Sequence, residues 1–168
     1  MTRAAVSAGS NLGQSEQILE RALDELAATA GLTELARSPY YLTAPVGYTA
    51  QPWFVNACAL LQCELEPYDL LARVQDLELS YGRERSFKNA PRTLDLDIIA
   101  ISGVQMQEER LILPHPRAAE RAFVLVPLND IAPDLTLQQG GPTVAQLLKA
   151  LPPEELNGVK RIERRDRS

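Results

Sequence analysis

The sequence holds one histidine and two cysteines in 168 residues, and that scarcity excludes most imidazole and thiolate metal chemistry. His115 cannot build a zinc site alone, and Cys58 and Cys63 do not form the C-x-x-C pair from which such a site starts. The same two cysteines are too few and too close for the disulfide framework of a secreted domain. Their odd separation puts them on opposite faces of a strand, so they read as small core residues in a reducing compartment. Long apolar runs are also missing. Stretches such as 122–128 fall far short of the roughly 20 residues that a membrane span needs. The first ten residues carry an arginine without an apolar segment, so no secretory leader is expected. Neither phosphate-loop signature occurs, since the chain has no G-x-x-x-x-G-K-[ST] and no G-x-G-x-x-G. A basic excess is lacking as well: the net charge of -5 argues against a general nucleic-acid binder.

What remains has the composition of an ordinary globular protein, with 45% hydrophobic and 23% charged residues. Residues 1–168 are expected to form a single domain, with a loosely packed tail after about residue 152. The acidic average hides a local contrast. Arg83, Arg85, Lys88, Arg92, Arg110, Arg117 and Arg121 all fall in the middle and last third of the chain. A cationic patch on an acidic protein suits a small polyanion. The expected partners are therefore small molecules, with no nucleic acid and no membrane, for a cytoplasmic monomer. Any metal should be a hard cation held by oxygen, magnesium or manganese.

Periodicity and breakers predict the elements. Residues 4–8 read as a short buried strand running into a turn at 9–13. Ser15 can cap a helix to about Ala30, with Ile18, Leu19, Ala22, Leu23 and Leu26 on one face and Gly31 beyond its end. Strands are expected over 35–43 and 53–65, separated by a loop with two prolines. Pro67 opens a second helix with a stripe of Leu70, Leu71, Val74, Leu77 and Leu79, and Gly82 stops it. A strand over 94–101 follows, with Ser102-Gly103 turning back into 104–108 as its hairpin partner. Pro114 and Pro116 forbid regular helix at 111–117. Helices are expected over 122–131, despite Pro127, and over 144–151. The order strand, helix, strand, strand, helix, strand is the split pattern of a ferredoxin-like α+β fold. The predicted architecture is thus a βαββαβ core with an added β-hairpin and a C-terminal helical extension.

The most informative stretch is Pro91-Arg92-Thr93-Leu94-Asp95-Leu96-Asp97-Ile98-Ile99. Alternation on a strand places Asp95 and Asp97 side by side, about 6.5 Å apart at their Cα atoms, while Leu94, Leu96 and Ile98 face a core. Aspartate is depleted in strands, and two on one face repel each other unless a cation lies between them. Paired carboxylates with an arginine just ahead suit metal-assisted phosphoryl chemistry. The bland alternative is the solvated face of an edge strand. Phe54 and Asn56, also two apart on a strand, set a ring beside an amide, a pairing that suits a flat nitrogen heterocycle. Spacing alone slightly favours a core phenylalanine and an edge asparagine there. It favours a tight strand-to-helix turn for Gly9-Ser10-Asn11-Leu12-Gly13, and a surface histidine in a rigid proline loop for His115. Glu78, Arg83 and Arg85, taken singly, read as solvated surface residues.

Taken in order, these segments resemble the 6-hydroxymethyl-7,8-dihydropterin pyrophosphokinases of folate synthesis. The resemblance runs from Gly9-Ser10-Asn11-Leu12-Gly13 through Thr43-x-Pro45-x-Gly47 and Gln51-Pro52-x-Phe54-x-Asn56. It continues through Glu78 with Gly82-Arg83-x-Arg85 and through Pro91-Arg92-Thr93-Leu94-Asp95-Leu96-Asp97. Leu113-Pro114-His115-Pro116-Arg117 and Arg121-x-Phe123-Val124-Leu125-x-Pro127-Leu128 complete it. It covers residues 9 to about 133. Each piece is weak or moderate alone, and the ordered set is specific.

The resemblance implies transfer of pyrophosphate from ATP, the co-substrate, to the pterin hydroxymethyl group, with release of AMP. It further implies that Asp95 and Asp97 hold two Mg2+ ions and that Arg83 and Arg92 neutralise the triphosphate. Gln75, Glu78, Arg85, Ile98, Arg110, His115 and Arg121 match nucleotide-side positions, to which Arg92 also belongs. Thr43, Val46, Phe54, Asn56 and Phe123 match the pterin pocket, and Asn11 a position near the reacting centre. The chain departs from the pattern before Pro91, where Lys88-Asn89-Ala90 stands in place of the Arg-Trp-Gly of many members. Two rival classes remain open from the residues: a non-catalytic nucleotide- or pterin-binding module, and a nucleotidyltransferase with paired aspartates that would release pyrophosphate.

Overall fold

The computed structural model describes residues 2–11, 14–45, 50–82 and 93–163. One antiparallel sheet organises them. Its strands are β1 (Arg3–Ser10), β2 (Leu32–Arg37), β3 (Tyr41–Thr43), β4 (Phe54–Cys63), β5 (Asp95–Ile101) and β8 (Val159–Arg161). The order across the sheet is β5-β1-β4-β3-β8, and β2 also pairs with β4. Helices α1 (Ser15–Ala27) and α2 (Pro67–Ser80) cover one face; α3 (Ala122–Ile131) and α4 (Val144–Ala150) cover the other. A separate hairpin joins β6 (Met106–Gln107) to β7 (Ile112–Leu113), and α5 (Pro153–Leu156) precedes β8.

Two apolar clusters hold the layers together, one on each side of the sheet. Leu19, Leu23, Leu26, Leu70, Val74 and Leu77 pack against Val6, Ala57, Leu61, Leu96 and Ile98 on the first side. Leu125, Leu128 and Val144 pack against Ala5, Cys58, Leu60 and Ile99 on the second. The alternation of a strand makes this possible: Leu96 and Ile98 serve one cluster, and Ile99 serves the other. Cys58 and Cys63 are buried and unpaired on opposite sides, and burial pushes the Cys58 thiol up to about 12. Among the described residues no helix is long and apolar enough to cross a membrane.

Several expectations shift for identifiable reasons. Helix α1 ends at Ala27, because Ala28 to Gly31 form the turn into β2, with Gly31 at φ 90. Ser15 is the first helical residue, and Gln14 holds the capping position without a side-chain cap bond. The strand expected over 35–43 is two strands. Pro39 cannot donate to the ladder, and Ser38 instead bonds Cys58 through its backbone and its hydroxyl, both at 2.9 Å. On α2, Leu79 is 66% exposed, and the adjacent inward position belongs to Glu78, at 4%. The hairpin partner of 104–108 is β7, and β5 meets that segment only in one bridge, Ile101 to Val104. After residue 152 the chain stays largely exposed yet forms α5 and β8, and β8 pairs with all three residues of β3.

Candidate active site

Strand register brings the sequence-predicted residues together. Gly9 pairs with Asn56 on one side and with Asp95 on the other, while Asn56 also pairs with Tyr41. Residues paired across a ladder share a face, so Asp95, Gly9 and Asn56 form a row across three strands. Asp97, Ser7 and Cys58 form the next row. Thr43 and Phe54 pair at the end of β3 and β4, on the same face as Asn56. The row has a bare position at its middle. A Cβ built on Gly9 would stand 2.6 Å from Asn56 Oδ1 and 3.7 Å from the Phe54 ring. Glycine there leaves room beside the amide and the ring, a requirement that spacing alone assigned to a turn.

The aspartates lie where alternation places them, half-buried between the buried Leu94, Leu96 and Ile98. Strand β5 is the sheet edge, so its outward backbone groups need partners from elsewhere. Glu78 supplies one: its Oε2 accepts the Leu96 N–H at 2.9 Å. The surface reading of Glu78 is therefore corrected. It is a buried carboxylate that fixes the backbone between Asp95 and Asp97.

A cavity of about 260 Å3 opens beside this edge, lined by Asp97, Ile98, Arg110 and His115 together with Leu71 and Ile112. The Arg110 guanidinium lies 4.9 Å from the Tyr68 ring centre, a contact that the motif reading missed because the two residues are distant in sequence. The His115 N–H donates to Ile99 O at 2.8 Å, which ties the proline loop to β5. His115 Nδ1 accepts the Arg117 N–H at 3.2 Å, so the neutral ring carries its proton on Nε2. Burial first, then Arg121 and Arg117, holds the imidazole below its usual range, and Asp95 opposes that shift. Gln75 is exposed on α2 and does not line this cavity.

A second cavity, of about 650 Å3, is bounded by Thr43, Arg121 and Phe123 together with Arg117, Glu154 and Gly158. Thr43 is buried, and its Oγ1 accepts from Asn56 Nδ2 at 2.5 Å. In this arrangement the amino group faces Thr43 and Oδ1 faces Gly9. Phe123 stands in the first turn of α3, and the Arg121 guanidinium lies 5.3 Å from its ring centre. Pro127 removes the N–H that the Phe123 carbonyl would accept four residues earlier. Asn11 is buried, and its amino group donates to Gln51 Oε1 at 2.7 Å and Pro52 O at 3.1 Å. It thereby ties the end of β1 to the approach to β4. Val46, Arg83, Arg85 and Arg92 lie outside the described residues, as does the Lys88-Asn89-Ala90 departure.

The donor set fits a hard cation. Among the described residues no group of three or more His, Cys, Asp or Glu could hold a metal. Magnesium does not require one, because it commonly takes one or two carboxylates and completes its shell with phosphate oxygens and water. Asp95 and Asp97, adjacent on one face, meet that need.

The sequence model of the 7,8-dihydro-6-hydroxymethylpterin-pyrophosphokinase (HPPK) family matches residues 5–133. The chain is 45% identical to the 2-amino-4-hydroxy-6-hydroxymethyldihydropteridine pyrophosphokinase of Methylorubrum extorquens, over 97% of this chain and 100% of that one. It is 41% identical to the Pseudomonas aeruginosa protein of the same name, over 95% of this chain and 96% of that one. In fold it is similar to the crystal structure of Plasmodium falciparum HPPK-DHPS, with a TM-score of 0.67 at 13% identity. That match covers 88% of this chain and 45% of the Plasmodium chain.

Proposed function

The chain belongs to the 7,8-dihydro-6-hydroxymethylpterin-pyrophosphokinase family, and on that premise we propose how its residues divide the work. It transfers pyrophosphate from ATP to 6-hydroxymethyl-7,8-dihydropterin in folate biosynthesis. The pterin hydroxyl oxygen gives up its proton to solvent and bonds to the β-phosphorus, the bond from that phosphorus to the α–β bridging oxygen breaks, and AMP departs with the bridging oxygen.

Asp95 and Asp97 would hold two magnesium ions. Bound magnesium supplies charge neutralisation along the triphosphate and polarises the attacking hydroxyl. Arg83 and Arg92 stabilise charge on the transferred and leaving groups. Gln75, Glu78, Arg85, Ile98, Arg110, His115 and Arg121 bind the nucleotide side, with neutral His115 offering Nε2–H as a donor and Glu78 also holding β5 in place. Phe54 and Phe123 stack on the pterin, Asn56 reads its polar edge, and Thr43 fixes the Asn56 amide. Val46 completes the pocket, and Asn11 stands near the reacting centre. Positioning supplies much of the rate, because little covalent chemistry falls to the protein.

The observation that carries this reading is the row Asp95–Gly9–Asn56. It sets a carboxylate and a heterocycle-reading amide on one face, with an open glycine position between them. The sheet core is read as ferredoxin-like, supported by the antiparallel order β5-β1-β4-β3 with α1 and α2 on one face. Residues 1–168 are read as one cytoplasmic, monomeric domain that engages neither nucleic acid nor membrane, supported by two buried free thiols and an acidic net charge.

The test is to incubate the protein with ATP, magnesium and the pterin, then to quantify AMP, ADP and inorganic pyrophosphate. Pterin-dependent AMP without free pyrophosphate is expected. Free pyrophosphate would indicate nucleotidyl transfer, and no AMP despite binding of both ligands would indicate a binding module.

A further inference from the structure

The family match ends at residue 133, but the larger cavity does not. Its wall is completed by Glu154, Glu155, Gly158 and Val159, from α5 and the start of β8. These residues face Thr43, Arg121 and Phe123 across the same space. The segment is also bonded to the sheet directly behind the pocket. Val159 pairs with Thr43, Lys160 with Leu42 and Arg161 with Tyr41. The Ala44 N–H donates to Gly158 O at 2.8 Å, and the Ile162 N–H donates to Tyr40 O at 2.8 Å. The Lys160 ammonium lies 5.8 Å from the Trp53 ring centre, next to Phe54.

We propose that the C-terminal strand, with Gly158 at its head, is a positioning element of the pterin pocket. It acts through Thr43 on the Asn56 amide. The inference rests on the assignment of Thr43 and Asn56 to the pterin.

Strand β3 is only three residues long. Three residues paired with β4 alone would form a frayed sheet edge, and a short edge strand has little to fix its twist or its distance from its neighbour. β8 pairs with the whole length of β3 and so converts it into an interior strand. Thr43 is the last residue of β3, the place where fraying would start. Its hydroxyl holds the Asn56 amino group, so any displacement of Thr43 frees the amide to rotate and mispresent donor and acceptor to the heterocycle. Recognition of a flat ring by one amide depends on that orientation.

Gly158 lies close against the end of β3. A Cβ built there would stand 3.1 Å from the Ala44 Cβ, an atom fixed to backbone and unable to swing aside. A larger side chain must therefore push the end of β3 away from β8. The family motifs carry no sign of this role, because its residues lie outside the matched segment and act through backbone hydrogen bonds that no motif records.

The test uses the 168-residue chain, with binding of the pterin and of a non-hydrolysable ATP analogue followed separately by calorimetry. Gly158→Val is expected to weaken pterin binding about tenfold, with nucleotide affinity within about twofold of wild type. Gly158→Ala, which asks for a shift of only a few tenths of an ångström, should show a smaller loss of the same kind. A cycle with Thr43→Val separates the route: in that background Gly158→Val should add little, because the hydroxyl through which the strand acts is already gone. Wild-type pterin affinity in Gly158→Val would overturn the inference, as would equal loss of both ligands, which marks a role in stability alone. Full pterin affinity in Thr43→Val and in Asn56→Ala would overturn the pocket assignment itself, and this inference with it.

Discussion

The two sides of the proposed site are held in place by different kinds of bond. On the proposed nucleotide side, side chains and loop are tied to backbone: Glu78 accepts the Leu96 N–H between the two aspartates, and the backbone N–H of His115 donates to Ile99 O. On the pterin side, polar side chains fix one another, Asn56 on Thr43 and Asn11 on Gln51. The difference follows from what each side must present. A pair of carboxylates can hold cations if the strand beneath them holds its line. A planar amide reading a heterocycle must also be turned the right way, and its own hydrogen-bond partners set that rotation, the Thr43 hydroxyl for Asn56 and Gln51 with the Pro52 carbonyl for Asn11. The two sides should therefore fail separately.

The largest separation is expected at Asp97. We predict that Asp97→Ala abolishes turnover while pterin binding survives, because the change removes a proposed metal ligand and leaves the row beyond Gly9 intact. Near-normal rates at saturating magnesium would show that the carboxylate is not needed. Simultaneous loss of pterin binding would show that the two sides are not independent.

Gly9 sits between them and tests the comparison from the middle. Gly9→Ala would set a methyl group within 2.6 Å of Asn56 Oδ1. The amide must then rotate or retreat, and its bond to Thr43 goes with it. Pterin affinity should fall by about tenfold or more, equivalent to about 1.4 kcal/mol, with nucleotide binding largely kept. Unchanged pterin affinity would mean that the open position beside Asn56 has no part in recognition.

The nucleotide side was the more legible of the two in the sequence. Asp95 and Asp97 are two apart, so alternation alone put them on one face, and the structure follows it. Leu94, Leu96 and Ile98, which alternate with them, fell into the core for the same reason. Glu78 was misjudged as surface because its partner, the Leu96 N–H, is a backbone group that appears in no residue pattern. The pterin side depended on register. Nothing in the spacing of Phe54 and Asn56 says that Gly9 stands opposite Asn56, or that Thr43 lies within reach of its amide. The broken strand at Ser38-Pro39 was legible in principle, since proline cannot donate to a ladder, but aromatic and β-branched residues beyond it masked the break. The pairing of β8 with β3 joins residues more than a hundred positions apart, and local propensity carries no trace of it.

Glu78 gives a smaller and more local effect. Glu78→Ala leaves the outward Leu96 N–H without its carboxylate, and an unsatisfied buried donor costs about 1–3 kcal/mol. Glu78→Gln keeps an acceptor oxygen in nearly the same place and should retain most of the stability. Denaturant midpoints for the two variants measure this directly. If the comparison of the two sides is right, Glu78→Ala should also raise the magnesium requirement and leave pterin affinity alone. Equal midpoints for the two variants would remove the hydrogen bond from the account of how β5 is held.

The smallest effect is a pH dependence at His115, which sharpens the comparison because the group sits on the charged side yet remains neutral. Burial, Arg121 and Arg117 together hold its native value below the ordinary 6.5, against the opposing pull of Asp95. As pH falls through 6.5, the unfolded chain takes up a proton at this residue before the native chain does. More protons are then bound in the unfolded state, so stability declines as pH drops from 6.5 toward the lower native value, and is fully present above 6.5. Urea midpoints of wild type and His115→Gln, compared between pH 7.5 and 5.5, isolate this contribution from that of the carboxylates. Wild type should lose ground relative to the variant as pH falls. A relative gain would show that the native protein prefers a charged imidazole, and that His115 meets the nucleotide as a cation instead of through a neutral Nε2–H.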